Sequence, residues 1–314
     1  MIKLNLKPFC NSEIGTLREV ILCSPNKIDV SGSEVSAVGF KNNFDSLAAI
    51  EEHFTLKSKI MNFGCTVHDI STESNNDLWN RLVNRIFVRD VAGVFGDKLI
   101  LGRSDSEIRR PDFMYSQDFF SDLFDSKDVC HLPEEVSLEF GDFMILNENC
   151  VIINVGHRSN VNQYILAKFL FDLGLEEVAF ISLPKTIESL HLDVVCNILG
   201  KNQFLAAPFL KFIPVSIYKN NAVNQLPEVQ FTTIDNFVHR HGYSIYWLPN
   251  KEYLIDYTNF INLDKTTALV SQEILEFYRE TFKNMNFIGV NINNLQNGAG
   301  GIRCLTLPVL REPV

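Results

Sequence analysis

The 314-residue sequence has no apolar run near the roughly 20 residues needed to span a bilayer. Its longest, such as Val178 to Leu183, are of strand length, so no membrane partner is expected. Met1 to Glu13 breaks its short apolar pairs with Lys3, Lys7, Asn11 and Glu13, so it lacks the continuous core of an export signal. Basic clusters are also missing. With 28 Lys and Arg against 38 Asp and Glu, net charge -10 and pI near 5.2, the chain has no basic run suited to displacing counterions from phosphates, which argues against a nucleic-acid partner. Seven cysteines (Cys10, Cys23, Cys65, Cys130, Cys150, Cys196, Cys304) include no Cys-x-x-Cys pair. That spacing excludes a disulfide framework, argues against a structural zinc site, and suits free thiols in a reducing, cytoplasmic setting. No low-complexity linker divides the chain, so residues 1–314 read as one catalytic domain.

What is present is ample core material, with 46% hydrophobic residues, and a recurring pattern. Leu17 to Cys23 predicts a strand. Phe44 to Phe63 predicts a helix with Leu47, Ile50, Phe54, Leu56, Ile60 and Met61 near a helical period, ended by Gly64, and Thr66 to Ile70 predicts a second strand. Asn75 to Arg81, with Trp79, reads as a loop. An aspartate, an apolar strand, a tight turn and a second apolar strand then occur three times. Asp90 precedes the turn at Gly96 to Lys98, Asp142 the turn at Asn147 to Asn149, and Asp193 the turn at Gly200 to Asn202. Helical stretches at Val161 to Leu173, Ile234 to His239 and Ser271 to Met285 each lead into another strand. Units of about 50 residues ordered hairpin, helix, strand imply a ring or propeller of α/β modules whose hairpin ends converge on an axis. Asp112 to Leu132 reads as an excursion or lid over one end.

Convergent hairpins would gather Asp90, Glu139, Asp142, His191 and Asp193 near Cys304. His191 and Asp193 flank Leu192, so on a strand they share one face. Cys304 follows Gly298, Ala299, Gly300 and Gly301, and the alternation from Ile302 to Leu307 predicts a strand with the thiol at its mouth. A cysteine beside a histidine and several carboxylates is the equipment of nucleophilic catalysis on a cation.

The stretches Phe87 to Asp90, Leu138 to Asp142, Gly156 to Asn160, His191 to Asp193 and Gly300 to Cys304, in this order, resemble the guanidino-modifying enzymes: arginine deiminases, arginine dihydrolases, dimethylarginine hydrolases and amidinotransferases. The resemblance spans residues 84 to 311, with Thr16 to Pro25 similar to the family's first strand. It implies a pentein fold, a five-bladed α/β propeller of pseudo-repeated ββαβ modules. It also implies that Cys304 is the nucleophile, His191 the general acid and base, and Glu139 the carboxylate that orients it. Asp90 and Asp193 would hold the guanidinium in fork geometry, with Asp142 beside them in the substrate-binding set. Asn84, Arg109 and Arg158 match positions that take an arginine α-carboxylate.

The implied substrate is a small guanidino compound such as arginine, with no cofactor and no metal; a homo-oligomer is compatible with the family. Departures bear on the reaction. Phe140 stands where the family has glycine, which predicts a reshaped pocket floor, and Ala299 stands where bacterial deiminases place a carboxylate-binding arginine. The first expectation is therefore a hydrolase of the deiminase or dihydrolase type, and the alternative is an amidinotransferase that passes the amidino group to an amine.

Overall fold

A computed structural model describes residues 5–71, 76–221, 227–249 and 254–314. Met1 to Leu4 of the amino-terminal stretch, and Asn75 of the expected loop, lie outside them. The described residues form a mixed α/β fold of five sheets, and every sheet repeats one plan. An antiparallel pair comes first, a helix follows, and a third strand joins in parallel. The second module shows the unit: Ala92–Phe95 pairs antiparallel with Lys98–Leu101, helix Arg110–Leu123 crosses over, and Val129–His131 returns parallel to Lys98–Leu101. The third, fourth and fifth modules repeat it with helices Gln163–Asp172, Ile234–Arg240 and Leu275–Thr281. The first is closed by the far end of the chain. Leu307–Arg311 pairs antiparallel with Leu17–Leu22, and helix Ser46–Asn62 then leads to the parallel strand Thr66–Asp69.

Local chemistry explains the segments. Asp45 caps helix Ser46–Asn62 by accepting from the amides of Leu47 and Ala48, and Gly64, at φ 93°, lets the chain leave in a left-handed turn. The segment Asp112 to Leu132 is neither lid nor excursion. It is the helix and third strand of the second module, anchored by Phe113 and Phe120, whose full burial is worth about 1.5–3 kcal/mol each. Trp79, expected in a loop, is buried against Phe119 with ring centroids 5.0 Å apart. One hairpin escaped the sequence reading: Pro214–Lys219 and Glu228–Thr233 leave the fourth module and extend the third sheet to five strands.

A short turn stands before the first strand of each of the last four modules. These turns are Val88–Val91, Phe140–Asp142, Leu192–Val194 and Ile255–Thr258. Before the closing strand comes another, Ile302 to Leu305, where Leu305 N donates to Gly301 O at 3.1 Å. The strand expected over Ile302 to Leu307 is therefore a helical turn, and the strand starts only at Leu307. The first four turns touch one another in sequence order. The fifth joins the ends, since Arg303 N donates to Asn259 O at 3.2 Å and Arg89 N to Cys304 O at 3.1 Å. Apolar side chains fill three clusters around this circuit, with Leu192, Phe140 and Cys304 each facing a different one.

Candidate active site

The turns explain why aspartates precede the hairpins. A turn residue just before a strand projects its side chain from the end of the sheet, and Asp90, Asp142 and Asp193 all occupy such positions. Asn259 is the fourth member of the series and was not read from the sequence, although it too stands just before a strand, Ile261–Asn262, that leads to a bend at Asp264 and Lys265. His191 and Asp193 share the site through a 3₁₀ turn over Leu192–Val194 rather than through a strand; Leu192 still points into the core.

Cys304 is buried at the meeting of these turns. Asn259 clamps it at both ends, with Nδ2 donating to Sγ at 3.1 Å and Oδ1 accepting from Cys304 N at 3.0 Å. Asp193 lies 3.7 Å from the sulfur. Burial, and the charges of Asp193 and Asp90, push the thiol well above its ordinary range, so it is protonated at neutral pH. The glycines before it are dictated by packing. A Cβ on Gly300 would lie 2.2 Å from the Phe87 ring, and one on Gly301 2.8 Å from Asn259 Cβ. Ala299 takes φ 68°, in the left-handed region.

A charged pair stands beside Asp90. His191 Nε2 is 2.9 Å from Glu139 Oε2, which leaves Nδ1 facing Asp90 Oδ1 at 3.7 Å. Burial opposes its charge, but Asp90, Asp142 and Glu139 together hold the imidazolium up to about 9. Glu139 is itself buried, yet His191, Arg109 and Arg158 hold it down to about 2, and Ser104 Oγ donates to its other oxygen. Ion pair and clamp are preformed. Gly141 backs the histidine, because a Cβ there would lie 2.8 Å from Nδ1 and 2.9 Å from Asp90 Oδ1.

The two expected guanidinium carboxylates are each half occupied. Arg109 Nη1 donates to Asp90 Oδ2 at 2.7 Å and Arg303 Nη1 to Asp193 Oδ2 at 2.9 Å. Asp90 Oδ1 is buried without a hydrogen-bond partner, an expensive condition for a carboxylate. Arg303, unread from the sequence, also donates to Glu13 Oε1 at 2.9 Å and so ties the site to the amino-terminal segment.

Four expectations need correction. Asp142 does not face the site with a free oxygen: it accepts from Asn154 Nδ2 at 2.8 Å, Ser159 Oγ at 2.6 Å and Leu192 N at 2.9 Å, and burial raises it to about 6. It holds the His191 turn in place. Arg109, expected on a carboxylate of the substrate, is sandwiched between Asp90 and Asp112, with its Nε 2.8 Å from Asp112 Oδ2; a guanidinium neutralised there has no charge to spare. Asn84 donates its amide to Val38 O at 2.9 Å and so fastens the segment before helix Ser46–Asn62. Phe140 does not reshape the pocket floor. Its ring lies where a Cβ on Gly93 would come within 2.1 Å, and it packs with Phe143 in the core.

Arg158 stands at a cavity wall. It lies 3.9 Å from Glu139 Oε1, its Nε has no partner, and it lines a cavity of about 460 Å³ with Gly39, Ser106, His157, Asn160 and Leu190. Two groups of side chains have spacing a metal could use, Asp90 with Glu139 and His191, and Cys150 with Glu177 and His241. In both a guanidinium already neutralises a carboxylate, Arg109 on Asp90 and Arg240 on Glu177, which opposes a dication.

The profile of the arginine deiminase family matches residues 45–311. The chain belongs to that family. Among curated relatives it is 22% identical over 315 residues to an uncharacterized protein, YkgA, of Bacillus subtilis, covering 97% of this chain and 96% of that one. It is 25% identical over 261 residues to an arginine deiminase of Listeria monocytogenes, where the match covers 74% of this chain but 62% of the deiminase. Similar folds include Pseudomonas aeruginosa dimethylarginine dimethylaminohydrolase complexed with citrulline, at TM-score 0.68 and 16% identity over 93% of this chain and 99% of that one. The N-terminal domain of ArgZ, a cyanobacterial arginine dihydrolase bound to its substrate, has TM-score 0.68 and 18% identity over 94% and 98%. No helix among the described residues is long and apolar enough to cross a membrane.

Proposed function

We propose that this member of the arginine deiminase family is a hydrolase acting on the guanidinium carbon of arginine or a related compound, through a covalent adduct on Cys304. The observation that carries the reading is the buried, unpartnered Oδ1 of Asp90, which faces His191 across a site whose other wall is Asp193 and the thiol. That oxygen lacks a hydrogen-bond donor, and a guanidinium carries the planar donors to satisfy both carboxylates. We read residues 1–314 as one catalytic domain and the five modules as blades of a propeller around this site.

Entry of a cationic substrate offsets the charges that hold the thiol protonated, so the proton leaves to solvent and the thiolate forms beside its target. The sulfur adds to the guanidinium carbon. His191 gives the Nδ1 proton to the departing nitrogen, the C–N bond breaks and ammonia leaves, with a planar S-alkylthiouronium on Cys304. Neutral His191 then takes a proton from water, the resulting hydroxide adds to the same carbon, and the added hydroxyl loses its proton to solvent as the C–S bond breaks, leaving the ureido product and the thiolate. Glu139 keeps Nε2 protonated throughout, while Arg158 meets an anionic tail in the adjoining cavity.

Intact-protein mass after acid quenching with arginine tests the assignment. A hydrolase of the deiminase type loses ammonia first, so Cys304 carries the whole substrate skeleton. An adduct bearing only the amidino group would make the protein an amidinotransferase, and no adduct on wild type during turnover would remove the covalent step.

A further inference from the structure

The turn that carries Cys304 also carries Arg303, which belongs to a group of buried cations that takes no part in the proposed mechanism. Arg89, Arg303 and Arg311 are each more than nine-tenths buried, with 7%, 1% and 1% of their surface exposed. Hydrogen bonds tie them to one short stretch of chain. Arg89 Nε donates to Arg303 O at 3.4 Å, Arg303 Nη2 to Glu13 Oε1 at 2.9 Å, and Arg311 Nη1 to Gly15 O at 2.6 Å, two residues further along the same segment. Each guanidinium nevertheless keeps a fully buried nitrogen without a hydrogen-bond partner: Nη2 of Arg89, Nε of Arg303 and Nη2 of Arg311. Donors unpaired at this depth call for an acceptor.

The charges do not close either. Two carboxylates stand against the three cations, Glu13 directly and Asp193 through Arg303. Burial opposes the charge of Glu13, yet Arg303, Arg89 and Arg311 together hold it down to about 2, so all three guanidinia share this one carboxylate. Arg89 is the least compensated: burial and the charge of Arg303 bring it down to about 9, which leaves it charged at neutral pH. The neighbouring Cys10 thiol does not supply the missing negative charge, because burial pushes it up to about 12. Water would satisfy the N–H donors but leave the surplus charge in place. We propose that a small monovalent anion of the chloride class binds among Arg89 Nη2, Arg303 Nε and Arg311 Nη2. Such an ion meets the donors and the charge together. The full burial of the three nitrogens selects a single small ion over a carboxylate, sulfate or phosphate, and Arg303 links that ion to Asp193 of the candidate site.

Chloride titration of the full chain, purified throughout in sodium gluconate and held at constant ionic strength, tests this. The melting temperature should rise by about 2 °C or more and level off in the millimolar range, as filling of one site requires. Arg89→Met keeps the stem of the side chain but removes one donor and its charge, so the rise should disappear. Crystals soaked in bromide should show an anomalous peak within hydrogen-bond reach of all three nitrogens. A melting temperature indifferent to chloride overturns the proposal, and a bromide peak seen beside it would be an adventitious ion only. A rise of the same size in Arg89→Met also overturns it, by placing the ion elsewhere. So does the lack of a bromide peak among the three guanidinia, a result that stands even if Arg89→Met fails to fold.

Discussion

The two sides of the candidate site are built on opposite electrostatic principles. On the histidine side a full set of charges is already balanced: Glu139 is held down to about 2 by His191, Arg109 and Arg158, and His191 is held up to about 9 by Asp90, Asp142 and Glu139. On the cysteine side burial comes first, and Asp193 and Asp90, although paired with Arg303 and Arg109, add to it in keeping the thiol protonated. Histidine and thiol are thus both protonated, for opposite reasons. A free buried thiolate would be costly and open to oxidation, whereas a protonated imidazole among carboxylates is stable at rest. Asp142 and Asp193 repeat the difference in miniature. They occupy equivalent turns, yet one has its oxygens engaged by Asn154, Ser159 and Leu192 while the other keeps an edge toward the sulfur.

The largest expected effect comes from emptying the cysteine side. Cys304→Ala should lower turnover by about 10⁴-fold or more while leaving arginine binding within a few-fold, since Asp90 and Asp193 stand without the thiol. Calorimetric titration beside a turnover assay reads both. Loss of binding in parallel with turnover would mean that the thiol helps to shape the cation site, and the division between the two sides would fail.

Glu139→Gln attacks the preloaded side. Removing a charge that stabilises the imidazolium should move His191 down from about 9 toward its ordinary value, so the alkaline limb of the pH–rate profile should begin at lower pH. The linked stability follows the same signs. The stabilisation tied to His191 is complete below pH about 6.5 and fades as pH rises through about 9; that tied to Glu139 is present above its unfolded value and fades as pH falls toward about 2. Urea midpoints of wild type and Glu139→Gln across pH 2 to 10 should therefore converge at the acid end, the variant lacking the acid-side loss. An unchanged alkaline limb would show that Asp90 and Asp142 suffice.

The smallest expected effect lies at the edge of the histidine side. Arg158→Ala should reduce kcat/KM for arginine by about 10- to 100-fold, the scale of a charge-assisted hydrogen bond, and barely touch agmatine or free guanidine. An equal loss on all three would place Arg158 in support of Glu139, 3.9 Å away, instead of in tail recognition.

Much of this molecule was legible in its residues. Strand and helix periodicity, Asn- and Gly-rich turns and the recurring aspartate revealed the modular repeat, because each module must bury its own apolar face and end its own hairpin. Cys304, His191, Glu139, Asp90, Asp142 and Asp193 were gathered from the hairpin pattern and given roles by the family resemblance; five of them line the site, and Asp142 holds the His191 turn from behind. What the residues could not show was where side chains spend their hydrogen bonds. Asp142, Arg109 and Asn84 have the right chemistry for substrate, but contacts with Ser159, Asp112 and Val38 claim them, and those partners come from other turns, helices and loops. Periodicity likewise reports that positions are apolar, without saying which way they face. Leu47, Phe54 and Met61 share a helical repeat with Leu56 and Ile60, and only the packing of that helix on its sheet decides that the first three meet solvent.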